Sequence, residues 1–199
     1  MSHYYTNDEN LKVNIKDIEY TYGGHLLKFS TDSGVFSKNR VDFGTNVLLN
    51  SLPDLEGKRI IDVGCGVGVI GLCVAKRYKS SFVTLVDVNK RAIDLTMLNA
   101  IRNKVNNVHT ILSDVYSNVD SKFDVIITNP PIRAGKKKVY QIFSDGFNVL
   151  NKNGKVFAVV QKKQGALSLK EHMKNIYGNC EEITKQSGYY VLTSIKETD

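Results

Sequence analysis

From residue 59 onward, short apolar runs alternate with longer segments that carry apolar residues at helical spacing. Runs rich in Val and Ile predict strands at residues 59–63, 81–86, 108–112, 123–128 and 155–160, and two further strand-like runs close the chain at residues 180–183 and 189–195. Because β-branched runs separated by helices are typical of a parallel sheet covered on both faces, we expect an α/β, doubly wound, seven-stranded and mostly parallel sheet.

Helical spacing of apolar residues predicts three helices that pack on this sheet. The last helix is expected to stop at Gly178, and Asn89 is placed to cap the first. Two apolar stripes are interpreted as core faces: Ile93, Met97, Ala100 and Ile101 in one helix, and Val139, Ile142, Phe143, Phe147 and Leu150 in another.

The amino-terminal region is predicted to be a small extension ahead of this sheet. Two alternating runs at residues 18–22 and 25–31 are joined by Gly23-Gly24, which favours a tight hairpin turn. A short helix follows, with Thr45 or Asn46 as the expected cap. We therefore divide the chain into an extension at residues 1–45 and a main domain at residues 46–199.

Composition narrows the class of protein. The chain has 199 residues, which suits one domain, and 27 Lys and Arg against 20 Asp and Glu give a formal charge of +7 that favours polyanionic partners. The longest apolar runs are too short to span a membrane, and neither the three cysteines nor the four histidines have metal-ligand spacing. We expect a cytoplasmic monomer without disulfide, metal or membrane contact.

A glycine-rich turn follows the first strand of the sheet and predicts a nucleotide-like ligand. Asp62 precedes residues 64–68, where glycine stands at every second position and leaves room for close approach to the backbone. This pattern indicates a Rossmann-like site, and it also satisfies a dinucleotide fingerprint that ends at Gly71. Asp87, after the second strand, would bind a ribose in either case.

Acidic residues favour S-adenosylmethionine over a dinucleotide. Asp62 could attract the ammonium group of a methionine moiety but would repel a pyrophosphate, and Asp114, after the third strand, could accept a hydrogen bond from an adenine amine. After the fourth strand, Asn129-Pro130-Pro131 predicts a rigid turn whose oxygens can hold an amine that is to be methylated. Neighbouring Ile132 gives an apolar contact.

These motifs, in this order, resemble those of class I methyltransferases, and specifically the N-methylating subgroup with an Asn-Pro-Pro signature. Phe36 and residues 42–44 resemble the segment before the catalytic domain of the small-subunit ribosomal RNA guanine-N2 methyltransferase family. The resemblance implies that residues 46–199 form the methyltransferase domain. It also implies that Asn129 and the Pro130 carbonyl hold the target amine.

The resulting assignments are as follows. Catalysis is assigned to Asn129, Pro130, Pro131 and Ile132. Cofactor binding is assigned to Asp62, Gly64, Cys65, Gly66, Gly68, Asp87, Val88, Asp114, Val115 and Asn129. Substrate or RNA binding is assigned to Phe36, Asp42, Arg133, Lys136, Lys137, Lys138, Lys162 and Lys163.

The basic residues in the last group follow two adjacent strands, so we expect them at one edge of the sheet, facing phosphates of ribosomal RNA or of a ribosomal subunit. The family usually carries an aromatic residue where Ile132 stands, and Arg133 could replace it by stacking on the base. The expected function is therefore methylation of an exocyclic nucleobase amine, guanine N2, in ribosomal RNA. The alternatives are methylation of protein glutamine or of DNA adenine, a nicotinamide-dependent oxidoreductase, and a scaffold that binds without catalysis.

Overall fold

The computed structural model describes residues 15–32 and 40–198. Nine strands and five α-helices follow one another in these residues. The strands are β1 (Lys16–Tyr22), β2 (His25–Thr31), β3 (Arg59–Val63), β4 (Phe82–Asp87), β5 (Val108–Leu112), β6 (Phe123–Thr128), β7 (Leu150–Gln161), β8 (Glu181–Gln186) and β9 (Tyr189–Ile195). The helices are α1 (Phe43–Ser51), α2 (Val69–Arg77), α3 (Lys90–Arg102), α4 (Lys136–Val149) and α5 (Ala166–Tyr177).

Strands β3 to β9 form one seven-stranded sheet in the order β5-β4-β3-β6-β7-β9-β8. The five strands from β5 to β7 in this order are parallel to one another. Strand β9 lies between β7 and β8 and runs antiparallel to both. The predicted α/β class and mostly parallel seven-stranded sheet are therefore confirmed. Strand β3 pairs with both β4 and β6, so the loops that follow these three strands emerge side by side at the carboxyl edge.

Helices cover both faces of the sheet, as expected for a doubly wound fold. Buried residues of α1, α2, α3 and the β1-β2 hairpin form one apolar cluster with one face. Buried residues of α4 and α5 form a second cluster with the other face. Within the described ranges, no helix is both long and apolar enough to span a membrane.

The β1-β2 hairpin is confirmed, and polar residues of α3 attach it to the main sheet. Asn99 accepts a hydrogen bond from Ser30 N (2.7 Å) and donates one to Ser30 O (3.0 Å). Asn103 does the same with Lys28 N (2.8 Å) and Lys28 O (2.7 Å). Two amides thus satisfy the backbone of β2 as a neighbouring strand would, which closes an edge that is otherwise unpaired.

The expected core stripe of α3 was wrong in part. Met97 is 49% exposed and Ile101 is 73% exposed, whereas Ile93 and Ala100 are buried. A second stripe at helical spacing faces inward instead, and it contains mostly polar residues: Ala92, Thr96, Asn99 and Asn103. Hydrophobic periodicity missed this face because its amides and hydroxyl are buried against backbone groups rather than against apolar side chains.

Two boundaries also differ from the sequence predictions. Asp42, not Thr45 or Asn46, caps α1, since its carboxylate accepts a hydrogen bond from Thr45 N (3.2 Å). Leu150, expected in the stripe of α4, begins β7 instead and is buried there. Asn89 caps α3 as predicted, and Gly178 ends α5 with a left-handed φ of 77°. The division at residue 45 stays a prediction.

We predict that Asn99→Ala lowers the free energy of unfolding by about 2 to 3 kcal/mol, because it leaves peptide groups of Ser30 and Val67 unpaired. Urea unfolding followed by circular dichroism measures the change. Asn50→Ala is the control, since Asn50 is exposed and, among residues 15–32 and 40–198, its side chain bonds only to Asn46 within α1. Equal effects of the two substitutions would contradict the account of the hairpin.

Candidate active site

The glycine-rich turn between β3 and α2 exposes its backbone at the carboxyl edge of the sheet. Gly64, Gly66 and Gly68 have φ values of 73°, 57° and 85°, in the left-handed region where a side chain is strained. Gly64 N (2.9 Å) and Cys65 N (3.0 Å) donate to Val86 O at the end of β4, which holds the start of the turn against the neighbouring strand. The turn is therefore a rigid surface.

Helix α3 supports the same turn from the hairpin side. Thr96 Oγ1 donates to Gly66 O (2.8 Å), and Asn99 Nδ2 donates to Val67 O (3.0 Å). A Cβ atom at Gly68 would lie only 2.8 Å from Thr96 Cγ2, so the close packing of the turn on α3 requires glycine at this position. Sequence reasoning did not assign a role to Thr96 or Asn99, although polar residues at core-facing positions of an amphipathic helix were the available signal.

Asp62 lies at the end of β3 beneath the turn and is fully buried. Its Oδ2 accepts a hydrogen bond from Gly71 N (2.9 Å), the first turn of α2, whereas its Oδ1 is buried and has no hydrogen-bond partner among the described residues. Burial raises the pKa of Asp62 to about 7, with a smaller contribution from the charge of Asp87. A buried carboxylate oxygen without a partner fits the ammonium group of a methionine moiety.

Asp87 closes β4 and is also buried, at 3% exposure. Its two oxygens accept hydrogen bonds from Gly66 N and Asn89 N, each at 2.9 Å. The carboxylate thus joins the glycine turn to the start of α3. Its predicted contact with a ribose stays a prediction, as does the assignment of the next residue, half-buried Val88, to cofactor binding.

Asn129 follows β6, and its amide is fixed by α1. Its Nδ2 donates to Asp42 Oδ2 and to Thr45 Oγ1, both at 3.1 Å. A carboxylate can only accept in this pair, so the NH₂ group faces Asp42 and the carbonyl Oδ1 faces away. Oδ1 accepts no hydrogen bond from the part of the chain that the structure describes, which leaves it available to an amine. Sequence reasoning placed Asp42 with the substrate and did not assign Thr45.

The glycine turn and the Asn-Pro-Pro turn lie against each other. A Cβ atom at Gly64 would be 3.7 Å from Pro131 Cδ, and Thr128 Oγ1 donates to Val63 O (2.8 Å) at the base of both turns. Pro130 is buried, and Pro131 O accepts from Ala134 N (2.9 Å) in a short 3₁₀ turn over Ile132–Ala134. A group on the glycine turn and a group held by Asn129 would therefore be neighbours.

The remaining assigned residues surround this centre. Asp114 and Val115 follow β5; Asp114 is exposed and forms an ion pair with Lys138 (2.9 Å), and Val115 is buried with a φ of 56°. Lys138 is therefore paired with a carboxylate. The exposed basic residues that follow β6 and β7 form what we call the basic rim. Arg133 and the other four lysines are exposed after β6 and β7: Lys136, Lys137, Lys162 and Lys163. Phe36 lies outside the described residues.

Cys65 lies within the turn and is buried, with its Sγ 3.9 Å from Thr96 Oγ1. Burial raises its pKa well above the usual range of a thiol, and the nearby charges of Asp87 and Asp62 act in the same direction. The neutral thiol is therefore a packing group, and only its backbone is available to a ligand.

The pKa of Asp62 predicts how stability depends on pH. Its folded-state value of about 7 lies above the usual 3.8, so the stability that its protonated form contributes is present below pH 3.8 and is lost as pH rises through 7. Asp62→Asn keeps an oxygen for Gly71 N and cannot ionise. We predict that the free energy of unfolding of the variant, relative to that of wild type, is higher at pH 8 than at pH 5. Urea unfolding without ligand measures both values.

The control for this prediction is Asp120→Asn, since Asp120 is exposed. Its stability relative to wild type should be the same at both pH values. A stability difference for Asp62→Asn that does not change with pH would show that Asp62 is ionised at pH 5 as well.

Known proteins resemble this chain in sequence and in fold. Residues 26–193 match the methyltransferase small domain family. YbxB of Bacillus subtilis, an uncharacterised protein, is 42% identical over 98% of both chains. Ribosomal RNA small subunit methyltransferase C of Hahella chejuensis is 40% identical over 68% of this chain and 41% of its own length.

A solved structure shares the fold. The 16S rRNA N2 G1207 methyltransferase of T. thermophilus, in complex with AdoMet and guanosine, superposes with a TM-score of 0.82 at 22% identity, over 92% of this chain and 50% of the other. The chain thus spans about half the length of the methyltransferases named as acting on ribosomal RNA. Together, the family match and the fold show that this chain belongs to the methyltransferase small domain family of class I, S-adenosylmethionine-dependent methyltransferases.

Proposed function

We propose that this protein methylates an exocyclic amine of a nucleobase in ribosomal RNA, with guanine N2 as the acceptor. The observation that carries the proposal is the fixed amide of Asn129. Asp42 and Thr45 hold its NH₂ group, so its Oδ1 can accept a hydrogen bond from the target amine, next to the glycine turn. Relatives named as ribosomal RNA methyltransferases support the choice of substrate class.

S-adenosylmethionine, when bound, supplies an electrophilic methyl group that departs from a sulfonium. Asp62 Oδ1 and the backbone of residues 64–68 would hold it, with Asp114 at its adenine end. Asn129 Oδ1 and the Pro130 carbonyl then accept the two N–H bonds of the target amine, which turns the nitrogen lone pair toward the methyl group. No strong base is needed, because the amine becomes acidic once it is alkylated.

The basic rim supports RNA as the larger partner. Lys136 and Lys137 follow β6, and Lys162 and Lys163 follow β7, and these neighbouring parallel strands end at the same edge as Asn129. Exposed cations at the same edge as Asn129 can contact phosphates near the target base. Lys138 contributes less to this surface, since Asp114 neutralises it.

Product identification tests the proposed function. Purified protein is incubated with labelled S-adenosylmethionine and with RNA, small ribosomal subunits or DNA from a strain that lacks the gene, and each product is digested to nucleosides. We expect label in N2-methylguanosine, and no label with Asn129→Ala. Label in N6-methyladenosine would change the base, and label only in protein would overturn the RNA substrate.

The hold on Asn129 predicts a positioning role for Thr45. Thr45→Val keeps the shape of this buried side chain and the Asp42 cap but removes the hydroxyl that accepts from Asn129 Nδ2. We predict that kcat falls about 5- to 10-fold, as for one lost hydrogen bond of about 1 kcal/mol. Affinity for S-adenosylmethionine should not change, and Thr45→Ser should recover kcat. Loss of kcat in Thr45→Ser as well would contradict this role.

Charge reversal tests the basic rim. We predict that the double variant Lys162→Glu, Lys163→Glu binds RNA more weakly and with a flatter dependence on salt, because fewer counterions are released. The control reverses Lys58 and Lys79, two exposed lysines that precede β3 and β4 at the opposite edge. Filter binding between 50 and 200 mM salt, a range that resolves phosphate contacts, measures both. Equal salt dependence in the two double variants would show that Lys162 and Lys163 do not contact RNA phosphates.

A further inference from the structure

An exposed aromatic pair lies on the α1 side of the acceptor position, by which we mean the place next to Asn129 where the methyl-accepting base would bind. Phe43 is the first residue of α1, directly after Asp42, and it is 40% exposed, whereas the later apolar residues of this helix are buried. Its ring centroid lies 5.5 Å from that of Tyr189, with the ring planes tilted by 55°. Tyr189 is half-buried, so one side of the pair is open to solvent.

Tyr189 is held close to the network that fixes Asn129. A Cβ atom at Gly44 would lie 2.8 Å from Tyr189 Cε1 and 2.9 Å from Asp42 Oδ2, so the ring and the carboxylate approach the same point. Burial raises the pKa of Tyr189, and the nearby charge of Asp42 raises it further. The ring of Tyr189 thus packs on the backbone of Gly44, where a side chain would collide with it.

The sheet places Tyr189 beyond the Asn-Pro-Pro turn. Tyr189 pairs with Gln161, the last residue of β7, whereas β6 ends at Thr128 opposite Ala158. Three further residues of strand at roughly 3.3 Å each raise this position about 10 Å above the end of β6. Tyr189 therefore lies beyond the end of β6, at the edge where the Asn-Pro-Pro turn emerges.

Ile132 and Tyr189 pack on opposite faces of the sheet. Ile132 packs against the cluster formed with α4 and α5, and Tyr189 packs against the cluster formed with α1. The aromatic surface that is missing after the second proline is therefore present on another part of the chain.

We infer that Phe43 and Tyr189 form the stacking surface for the base whose amine is methylated. This inference rests on the proposed function, since it needs a planar acceptor. Aromatic faces stack on any base and are worth roughly 1 to 3 kcal/mol per base. Exposed Arg133 directly follows Ile132, and its guanidinium is not needed for stacking in this arrangement.

Kinetics with alanine variants test the pair. Phe43→Ala and Tyr189→Ala should each lower kcat/KM for RNA by about 5- to 100-fold, the range that base stacking predicts, with unchanged affinity for S-adenosylmethionine. Tyr189→Phe should recover the loss seen in Tyr189→Ala. The control is Phe82→Ala, because Phe82 is 46% exposed at the start of β4, on the opposite edge. Equal kcat/KM in wild type and the Phe43 and Tyr189 variants would overturn the inference.

Fluorescence gives a second readout that does not require turnover. The chain contains no tryptophan, so Phe43→Trp introduces a single reporter. Guanosine monophosphate should quench its emission more strongly than that of Phe82→Trp, which corrects for absorption by the nucleotide. Equal quenching in both variants would overturn the stacking surface. If wild-type protein methylates no RNA, the proposed function fails, and the quenching comparison still decides whether a base stacks on this pair.

Discussion

The pairing of β3 with β6 is the constraint on which the rest of the site depends. These strands are parallel neighbours, with Asp62 opposite Ile127, so the turns that follow them emerge at one edge and approach each other at Gly64 and Pro131. No loop has to move to bring the two turns together. In the proposed site, this approach of the two turns would set the distance between the methyl donor and the target amine.

Buried polar contacts, rather than apolar packing alone, give each turn its shape. Amides and hydroxyls of α3 satisfy the backbone of the glycine turn and of the hairpin, and α1 holds the amide of Asn129. A partly satisfied network of this kind would be costly, so its completion restricts the chain to one arrangement. Asn129 Oδ1 and the buried Oδ1 of Asp62 have no partner among the described residues, and Asp62 Oδ1 lies where a cationic ligand is expected.

The sequence was sufficient for the sheet and for both turns, because β-branched runs, alternate glycines and Asn-Pro-Pro are local signals. It was not sufficient for the supporting residues. Thr96 and Asn99 occupy inward positions of α3 that an apolar pattern does not mark, and Thr45 reaches Asn129 across 84 residues of chain. The pairing of Asp114 with Lys138 and the approach of Tyr189 to Asp42 also depend on tertiary contacts that no local spacing encodes.

A crystal structure of the protein with S-adenosylmethionine and guanosine would test the central claim most directly. The account predicts the methionine end over residues 64–68, with its ammonium group near Asp62 Oδ1, and the exocyclic amine within hydrogen-bond distance of Asn129 Oδ1. A nucleoside bound at the opposite edge of the sheet, or an Asn129 amide turned so that its NH₂ group faces the base, would contradict it.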